Sequence, residues 1–350
     1  LNAGRPAEPG RPLEWQLDDQ ARVIDLRPPS GGERPGAPAV PCPVFLARER
    51  DPEVDALRAG LWRLGVPSLR AGLGTPVRLT SDGVQFDGVI PTVLWVRHLS
   101  PRSAPEHPVT AVRRYRSDAW RALLSQVEAV TGAPVLGTGP GLLRQLAAAR
   151  ALGVRVPETV ITTQPGTDVA LLRSPRVVAK ALDSHAVEAA PGLLANAFAQ
   201  VADRDEVLRW PRQAPLVLQE YVPHECELRV YHLGGEIHGF RVVKSAPEAL
   251  WLDERAVRVR SCRVPEPVAS ATLRLADVLG LGYAAFDFLL SRGEPVFLEA
   301  NVTGDWRWFE RKAATRTITR AAVRMLAGLH CAAGGGRVVP MSFLTAMSGL

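Results

Sequence analysis

The sequence predicts a mixed α/β (α+β) chain, and three observations predict it. Apolar residues recur at helical spacing in some segments and form short β-rich runs in others, as in "DPEVDALRAGLWRLG" and then "VRLTSDGVQFDGVIPTVLWVR". Glycine-containing dipeptides, Asp82-Gly83, Asp87-Gly88, Gly234-Gly235 and Arg292-Gly293, stand between apolar runs where hairpins turn. The 350 residues are 46% hydrophobic and 22% charged, a globular balance long enough for two or three domains.

Residues 1–40 are rich in Pro, Gly and Arg, a composition that predicts a disordered or loosely packed arm, with "VIDL" at Val23 to Leu26 as an isolated strand candidate. A compact unit over 41–135 opens with the apolar run "VFLAR". The next segment places Val54, Leu57, Leu61 and Leu64 on one helical face, and Gly65 ends it. Strands follow in "VPSLRAGL" and "VRLTSDGVQFDGVIPTVLWVR", so the unit begins as strand, helix, strand. A helix from Tyr115 to Val130 closes it, with Trp120, Leu123, Leu124 and Val127 aligned.

A second unit covers 136–335. "GTGPG" at Gly137 to Gly141 is read as a loop, because no clear βαβ unit precedes it. Leu142 to Leu152 is a helix stopped by Gly153, and "VPETVIT", "RVVAKAL" and "PLVLQEYV" are strands. "CELRVYHLGGEIHGFRVV" is a hairpin, Val268 to Leu279 a helix, and "GYAAFDFLLSRGEPVFLEANV" a second hairpin. A helix from Ile318 to Leu329 precedes a Gly-rich tail over 336–350.

Composition removes several classes. No run of 18 or more apolar residues predicts a membrane span. The first 40 residues hold no apolar h-region of a signal peptide. Four cysteines, Cys42, Cys226, Cys262 and Cys331, are scattered, which points to a reduced, cytoplasmic chain. The net charge is +6, with one cluster at Arg113-Arg114-Tyr115-Arg116. That cluster is read first as solvated surface and second as a face for an acidic partner; no fingerprint of nucleic-acid binding accompanies it.

Four segments carry chemistry. Lys180 lies inside the apolar strand "VVAKAL", where its ammonium needs an anion or a carbonyl unless it reaches water from an edge. "LQEYV", Leu218 to Val222, stops at Pro223, and main-chain groups at such an end either read a flat heterocycle or merely end the strand. Glu227 and Arg229 alternate on one face of "CELRV", as a surface ion pair or as the polar wall of a cleft. Asp287 interrupts "AAFDFLL", and Glu299 and Asn301 follow "VFL" on the paired strand. Three oxygen-bearing side chains on one hairpin face suit Mg²⁺, which takes one or two carboxylates and completes its shell with water and phosphate. No G-x-x-x-x-G-K-[ST] loop, H-E-x-x-H, C-x-x-C or serine nucleophile elbow competes with that reading.

Taken in order, "LLRQLAAARALGVRVPET", "VVAKAL", "LVLQEYV", "ELRVYHLGGEIHGFRV" and "AAFDFLLSRGEPVFLEAN" resemble the ATP-grasp ligases over about Gly139 to Asn301. "VLWVRHLSP" and "FLEANVTGDWRWFE" are similar to segments of the graspetide (microviridin-type) peptide maturases within that superfamily, and "PVFLARERDPEVDALRAGLWRLGVP" to the start of their pre-ATP-grasp domain. The resemblance implies an ATP-grasp fold with an N-terminal pre-ATP-grasp α/β domain over 41–135 and the catalytic region over 136–335. It implies a ligase that uses ATP and Mg²⁺ to close ester or amide rings in a ribosomally made precursor peptide, leader plus acidic core. Lys180 would contact the ATP phosphates, and Gln219, Glu220, Tyr221, Val222 and Glu227 would hold the adenine and ribose. Arg229 would steady the phosphates or the acyl phosphate, and Asp287, Glu299 and Asn301 would hold Mg²⁺. A homodimer is expected by analogy alone. The chain departs from the family at Leu142, where a lysine is usual, at Val302 in place of a proline, at His98 in place of a second arginine, and in the loop after Lys180. Another ATP-grasp carboxylate–amine ligase, or a nucleotide- or peptide-binding pseudoenzyme, are the alternatives. Trp306 and Trp308 mark the peptide maturases, while their own role is open between core packing and function.

Overall fold

A computed structural model describes residues 14–17, 21–24, 40–99, 110–182, 186–190, 193–196, 199–246 and 256–335. Most of the predicted arm, the tail and parts of the loop after Lys180 lie outside the described residues. Within the arm, β1 (Glu14–Leu17) and β2 (Ala21–Ile24) pair antiparallel, so Val23 and Ile24 of the "VIDL" candidate belong to a small ribbon, and its last two residues lie outside the described residues.

The N-terminal layer contains β3 (Val40–Ala47), α1 (Pro52–Arg63), β4 (Leu69–Ala71), β5 (Val77–Thr80), β6 (Gly83–Phe86), β7 (Val89–Arg97), α2 (Thr110–Val130) and β8 (Val135–Leu136). Its sheet runs β4-β3-β7-β6-β5, with β8 beside β7. β3 is parallel to β4 and β7, as a strand–helix–strand unit requires. Asp51 caps α1, its carboxylate accepting from the Val54 amide at 3.1 Å. Gly65 at φ 73° turns the chain out of the helix region. Gly60 lies on the buried face, where an added Cβ would stand 2.5 Å from Val323 Cγ2, so its lack of a side chain permits close packing on the last helix. α2 begins five residues before the predicted Tyr115, and of its aligned face only Val127 is fully buried; Trp120, Leu123 and Leu124 are half-buried.

The middle of the chain comprises α3 (Leu142–Ala151), β9 (Thr159–Thr162), α4 (Pro165–Asp168), β10 (Arg176–Ala181), β11 (Ala186–Ala190), β12 (Leu193–Asn196), β13 (Gln200–Asp203), α5 (Arg204–Val207) and β14 (Leu216–Glu220). β13-β10-β14-β9 form an antiparallel sheet, and β11-β12 a separate hairpin that its alanine-rich sequence, without alternation, did not announce.

The C-terminal part adds β15 (Cys226–Leu233), β16 (Glu236–Lys244), β17 (Val257–Cys262), α6 (Glu266–Val278), β18 (Tyr283–Ser291), β19 (Glu294–Asn301), α7 (Arg307–Lys312) and α8 (Thr317–Ala332). Its five-stranded sheet runs β17-β16-β15-β18-β19. Gly234-Gly235 (φ 57° and 99°) and Arg292-Gly293 (φ 55° and 78°) turn the two predicted hairpins in the left-handed conformation that tight turns need. One face of this sheet packs Leu228, Val230, Phe286, Phe288 and Phe297 against α3 and α6. The other buries Tyr231, Phe240, Val242, Tyr283 and Ala285 against α8 and the N-terminal layer. Alternation along the strands therefore puts Glu227, Arg229 and Asp287 on the second face, beyond the end of its apolar packing, and a β-bulge in β19 after Phe297 brings Glu299 to the same face.

Candidate active site

Register explains why the charged residues meet. Arg229 of β15 lies opposite Asp287 of β18, and Asp287 opposite Glu299 of β19. One line across three neighbouring strands thus carries a cation and two carboxylates. Arg229 Nη1 donates to Asp287 Oδ2 at 2.5 Å. Lys180, near the end of β10, reaches the same group from the other sheet, and its Nζ donates to Glu299 Oε2 at 2.8 Å. The Lys180 side chain is only 10% exposed, so it does not snorkel to water; a carboxylate compensates its burial.

Burial pushes the Asp287 carboxyl up; Arg229 opposes the rise and Glu299 adds to it, leaving it at about 6. The second Asp287 oxygen, Oδ1, is buried and has no hydrogen-bond partner among the described residues. A hard cation would satisfy such an oxygen, and Asp287 with Glu299 is the donor chemistry Mg²⁺ prefers. Among the described residues no three His, Cys, Asp or Glu side chains group as a metal site, so a third protein ligand has to be of another kind. Asn301, opposite Ala285 and two residues beyond Glu299, is the candidate. Its carbonyl oxygen accepts from the Thr303 amide at 3.0 Å and the Thr303 hydroxyl at 3.2 Å, which makes it the pivot of an Asx turn.

The remaining predicted residues divide by face. Gln219 shares the face of Lys180 on the β10–β14 pair, is buried, and donates to Thr159 Oγ1 at 2.9 Å. Glu220 lies on the opposite face, where its carboxylate accepts from the Glu158 amide at 3.1 Å and faces Arg155 at 3.7 Å. The strand ends at Glu220, two residues earlier than the run up to Pro223 predicted, so Tyr221 and Val222 lie past its end. Arg176 covers the Tyr221 ring at 4.6 Å, and Val222 packs with Leu289 and Val296, which ties this connection to the five-stranded sheet. Glu227 is held by Lys244 Nζ at 2.7 Å and faces His224 Nε2 at 3.6 Å. Burial alone would raise the Glu227 carboxyl, but His224 and Lys244 outweigh it and hold it below the ordinary range. The Glu227 bond in turn raises the His224 imidazole. Lys244 and His224 were not singled out from sequence. Lys244 ends an apolar strand run, "FRVVK", the same signal that marked Lys180.

No family model and no curated protein matches the chain in sequence. Solved structures match it in shape. The macrocyclase MdnC from Microcystis aeruginosa MRC, solved with precursor peptide MdnA, is similar over 83% of this chain and 99% of that one, with TM-score 0.65 and 19% identity. The ATP-grasp ligase PsnB, solved with a precursor variant, Mg and ADP, is similar over 81% of this chain and 98% of that one, with TM-score 0.61 and 20% identity. A Chryseobacterium gregarium RiPP-associated ATP-grasp ligase, solved with ADP and leader and core peptide, is similar over 83% and 97%, with TM-score 0.62 and 17% identity. The fold is the ATP-grasp fold.

Within this fold the two tryptophan-bearing segments, 297–310 and 93–99, meet in space. Trp306 is fully buried and stacks on Trp95 of β7 at 5.8 Å, and its indole N–H donates to Thr319 Oγ1 at 3.0 Å. Glu310, four residues on, accepts from the Thr319 amide and hydroxyl at 2.8 and 2.7 Å. Trp306 is therefore a core residue. Trp308 is half-buried, edge-on to Phe309 at 4.9 Å. Arg97, two residues after Trp95, is fully buried; it donates to Asp51 at 3.3 Å and to Asp305 at 2.5 Å and covers the Trp306 ring at 4.9 Å. His98, at φ 41°, adds a 2.9 Å contact to Asp305. Burial alone would raise the Asp305 carboxyl; His98 and Arg97 outweigh it and hold it well below the carboxylate range. Sequence reasoning missed this anchor, although a buried arginine after the apolar run "TVLWV" was a visible signal.

Proposed function

We propose that this chain is an ATP- and Mg²⁺-dependent peptide ligase that phosphorylates Asp or Glu side chains of a ribosomally made precursor peptide and closes ester or amide macrocycles. The observation that carries the reading is the convergence of Lys180, Arg229, Asp287 and Glu299 from two sheets of an ATP-grasp fold. The similar structures, a macrocyclase solved with a precursor peptide and ATP-grasp ligases solved with peptide and ADP, one of them also with Mg, point the same way.

In this reading Lys180 binds phosphate oxygens, and Gln219, Glu220, Tyr221, Val222 and Glu227 hold adenine and ribose. Asp287, Glu299 and Asn301 hold Mg²⁺, which when bound neutralises phosphate charge. A substrate carboxylate oxygen attacks the γ-phosphorus and the bond to the β-phosphate oxygen breaks, releasing ADP. Arg229 and Lys180 offset the charge that develops on the transferred group. A Ser or Thr hydroxyl or a Lys amine of the same peptide then attacks the acyl carbon. Phosphate leaves, the nucleophile loses its proton, and the ring is closed. Enclosure by the two sheets limits hydrolysis of the acyl phosphate.

The same reading divides the chain into a pre-ATP-grasp region over 41–135 and a catalytic region over 136–335. It carries with it a cytoplasmic protein, possession of no nucleic-acid partner, and a homodimer. Among the described residues no helix is long and apolar enough to cross a membrane. The test is mass spectrometry of an acidic precursor incubated with the chain, ATP and Mg²⁺. One water mass is lost per ring; an unchanged mass with the cognate precursor overturns the reading. Glu299→Ala should abolish ring closure while circular dichroism stays native.

A further inference from the structure

The Arg97 anchor does not stop at Asp305. The Tyr231 hydroxyl donates to the Asp305 carbonyl at 2.5 Å, and the Tyr283 hydroxyl donates to the Gly304 carbonyl. Tyr231 also accepts a side-chain hydrogen bond from Arg229, whose guanidinium lies 5.6 Å from the tyrosine ring centre. Gly304 touches the same arginine: an added Cβ would stand 3.0 Å from Arg229 Nη2 and 2.6 Å from the Ala285 Cβ. Arg229 then holds Asp287. The bonds form one chain: Arg97 to the Asp305 carboxylate, the Asp305 carbonyl to Tyr231, Tyr231 to Arg229, and Arg229 to Asp287.

We propose that Arg97 is a positioning residue for the Arg229–Asp287 pair, acting from the N-terminal layer through Asp305 and Tyr231. The inference rests on the reading of Asp287 as a metal ligand given above. Arg97 is suited to the task because it has little freedom. It is fully buried, two of its nitrogens are held by carboxylates on different elements, and Trp306 covers its plane. A planar fork held at two points fixes direction as well as distance. The segment it fixes, 304–306, lies against Arg229 without an intervening side chain. A hydrogen-bonded pair that must present Asp287 Oδ1 to a cation gains from being set before the cation arrives.

A merely structural anchor would change how much protein folds, not how tightly the folded protein holds a metal. The test is therefore Mn²⁺ binding in the presence of ADP, followed by electron paramagnetic resonance of the full chain, with melting temperature recorded in parallel. Tyr231→Phe removes one hydroxyl and leaves the ring packing in place. It should weaken Mn²⁺ binding about tenfold, while ADP binding measured in EDTA stays within about twofold. Asp305→Asn should do the same, and Arg97→Lys, which keeps the charge without the fork, should bind less weakly than Arg97→Met. Adding Tyr231→Phe to Arg229→Lys should cost nothing further, since both cut one chain. Wild-type Mn²⁺ affinity in folded Tyr231→Phe and Asp305→Asn overturns the inference alone. Failure of the wild-type chain to bind Mn²⁺ with ADP overturns the functional reading itself, and this inference with it.

Discussion

Two arginine–carboxylate clusters lie at opposite ends of the same buried chain, and they are built differently. Around Arg97 the guanidinium is fully buried between Asp51, Asp305 and two indole rings, and its Nη1 is left without a hydrogen-bond partner among the described residues. Around Asp287 it is a carboxylate oxygen that lacks a donor among the described residues, and Glu299 is shared with a lysine from another sheet. The unmatched group is a cation's N–H in the first cluster and an anion's oxygen in the second, and only the second is one that a metal ion could complete. Burial does not distinguish them, since the Asp305 side chain is 47% exposed and the Asp287 side chain 14%; the sign of the unmatched group does.

That contrast can be broken in order of effect. Arg97→Met leaves Asp51 and Asp305 without their cation and should cost about 3–5 kcal/mol of stability in denaturant titrations. A loss under about 1 kcal/mol would show that Arg97 does not hold these elements together. Glu299→Gln should behave oppositely. Turnover should fall by about 10²–10³ while stability changes little, read by steady-state kinetics beside thermal melting. Trp306→Phe keeps most of the apolar packing but loses the indole bond to Thr319, and should cost about 1–2 kcal/mol in the same titration. Replacing Arg324, whose pair with Glu236 is exposed, should change stability by about 0–1 kcal/mol.

A pH experiment sharpens the comparison further. The Asp305 carboxyl is held below its unfolded value, so the unfolded chain binds more protons in the acid range. The stability it contributes is present above the unfolded carboxylate pKa and is lost as pH falls through the folded one. Melting temperature should drop less steeply with acid in Asp305→Asn than in the wild-type chain. Parallel slopes in the two proteins would remove Asp305 from the account.

Local features were legible in advance where a few neighbouring residues decide the outcome. The turns at Gly234-Gly235 and Arg292-Gly293, the stop at Gly153 and the helices around Leu142 and Ile318 appear where turn chemistry and apolar spacing placed them. The tight turn of the hairpin β18–β19 sets the register as far as Phe288 and Phe297, and a β-bulge beyond them, which the sequence did not announce, brings Asp287 opposite Glu299. β11–β12 and β17 were not legible. The first has no alternating apolar pattern, and the second, "VRVRSC", alternates arginine with valine at a sheet edge and follows a long stretch without turn signals.

By itself, then, the sequence determined the α/β class, most elements, and the residue types that could serve a phosphate and a metal. Only the tertiary structure decided which charges pair. Lys180 meets Glu299 across 119 residues and Arg97 meets Asp305 across 208. Such pairings carry no periodic signal, because a carboxylate looks the same in sequence whether a lysine, an arginine or a cation completes it. The packing of two sheets and the N-terminal layer selects the partner, and with it which buried polar atom is left unmatched.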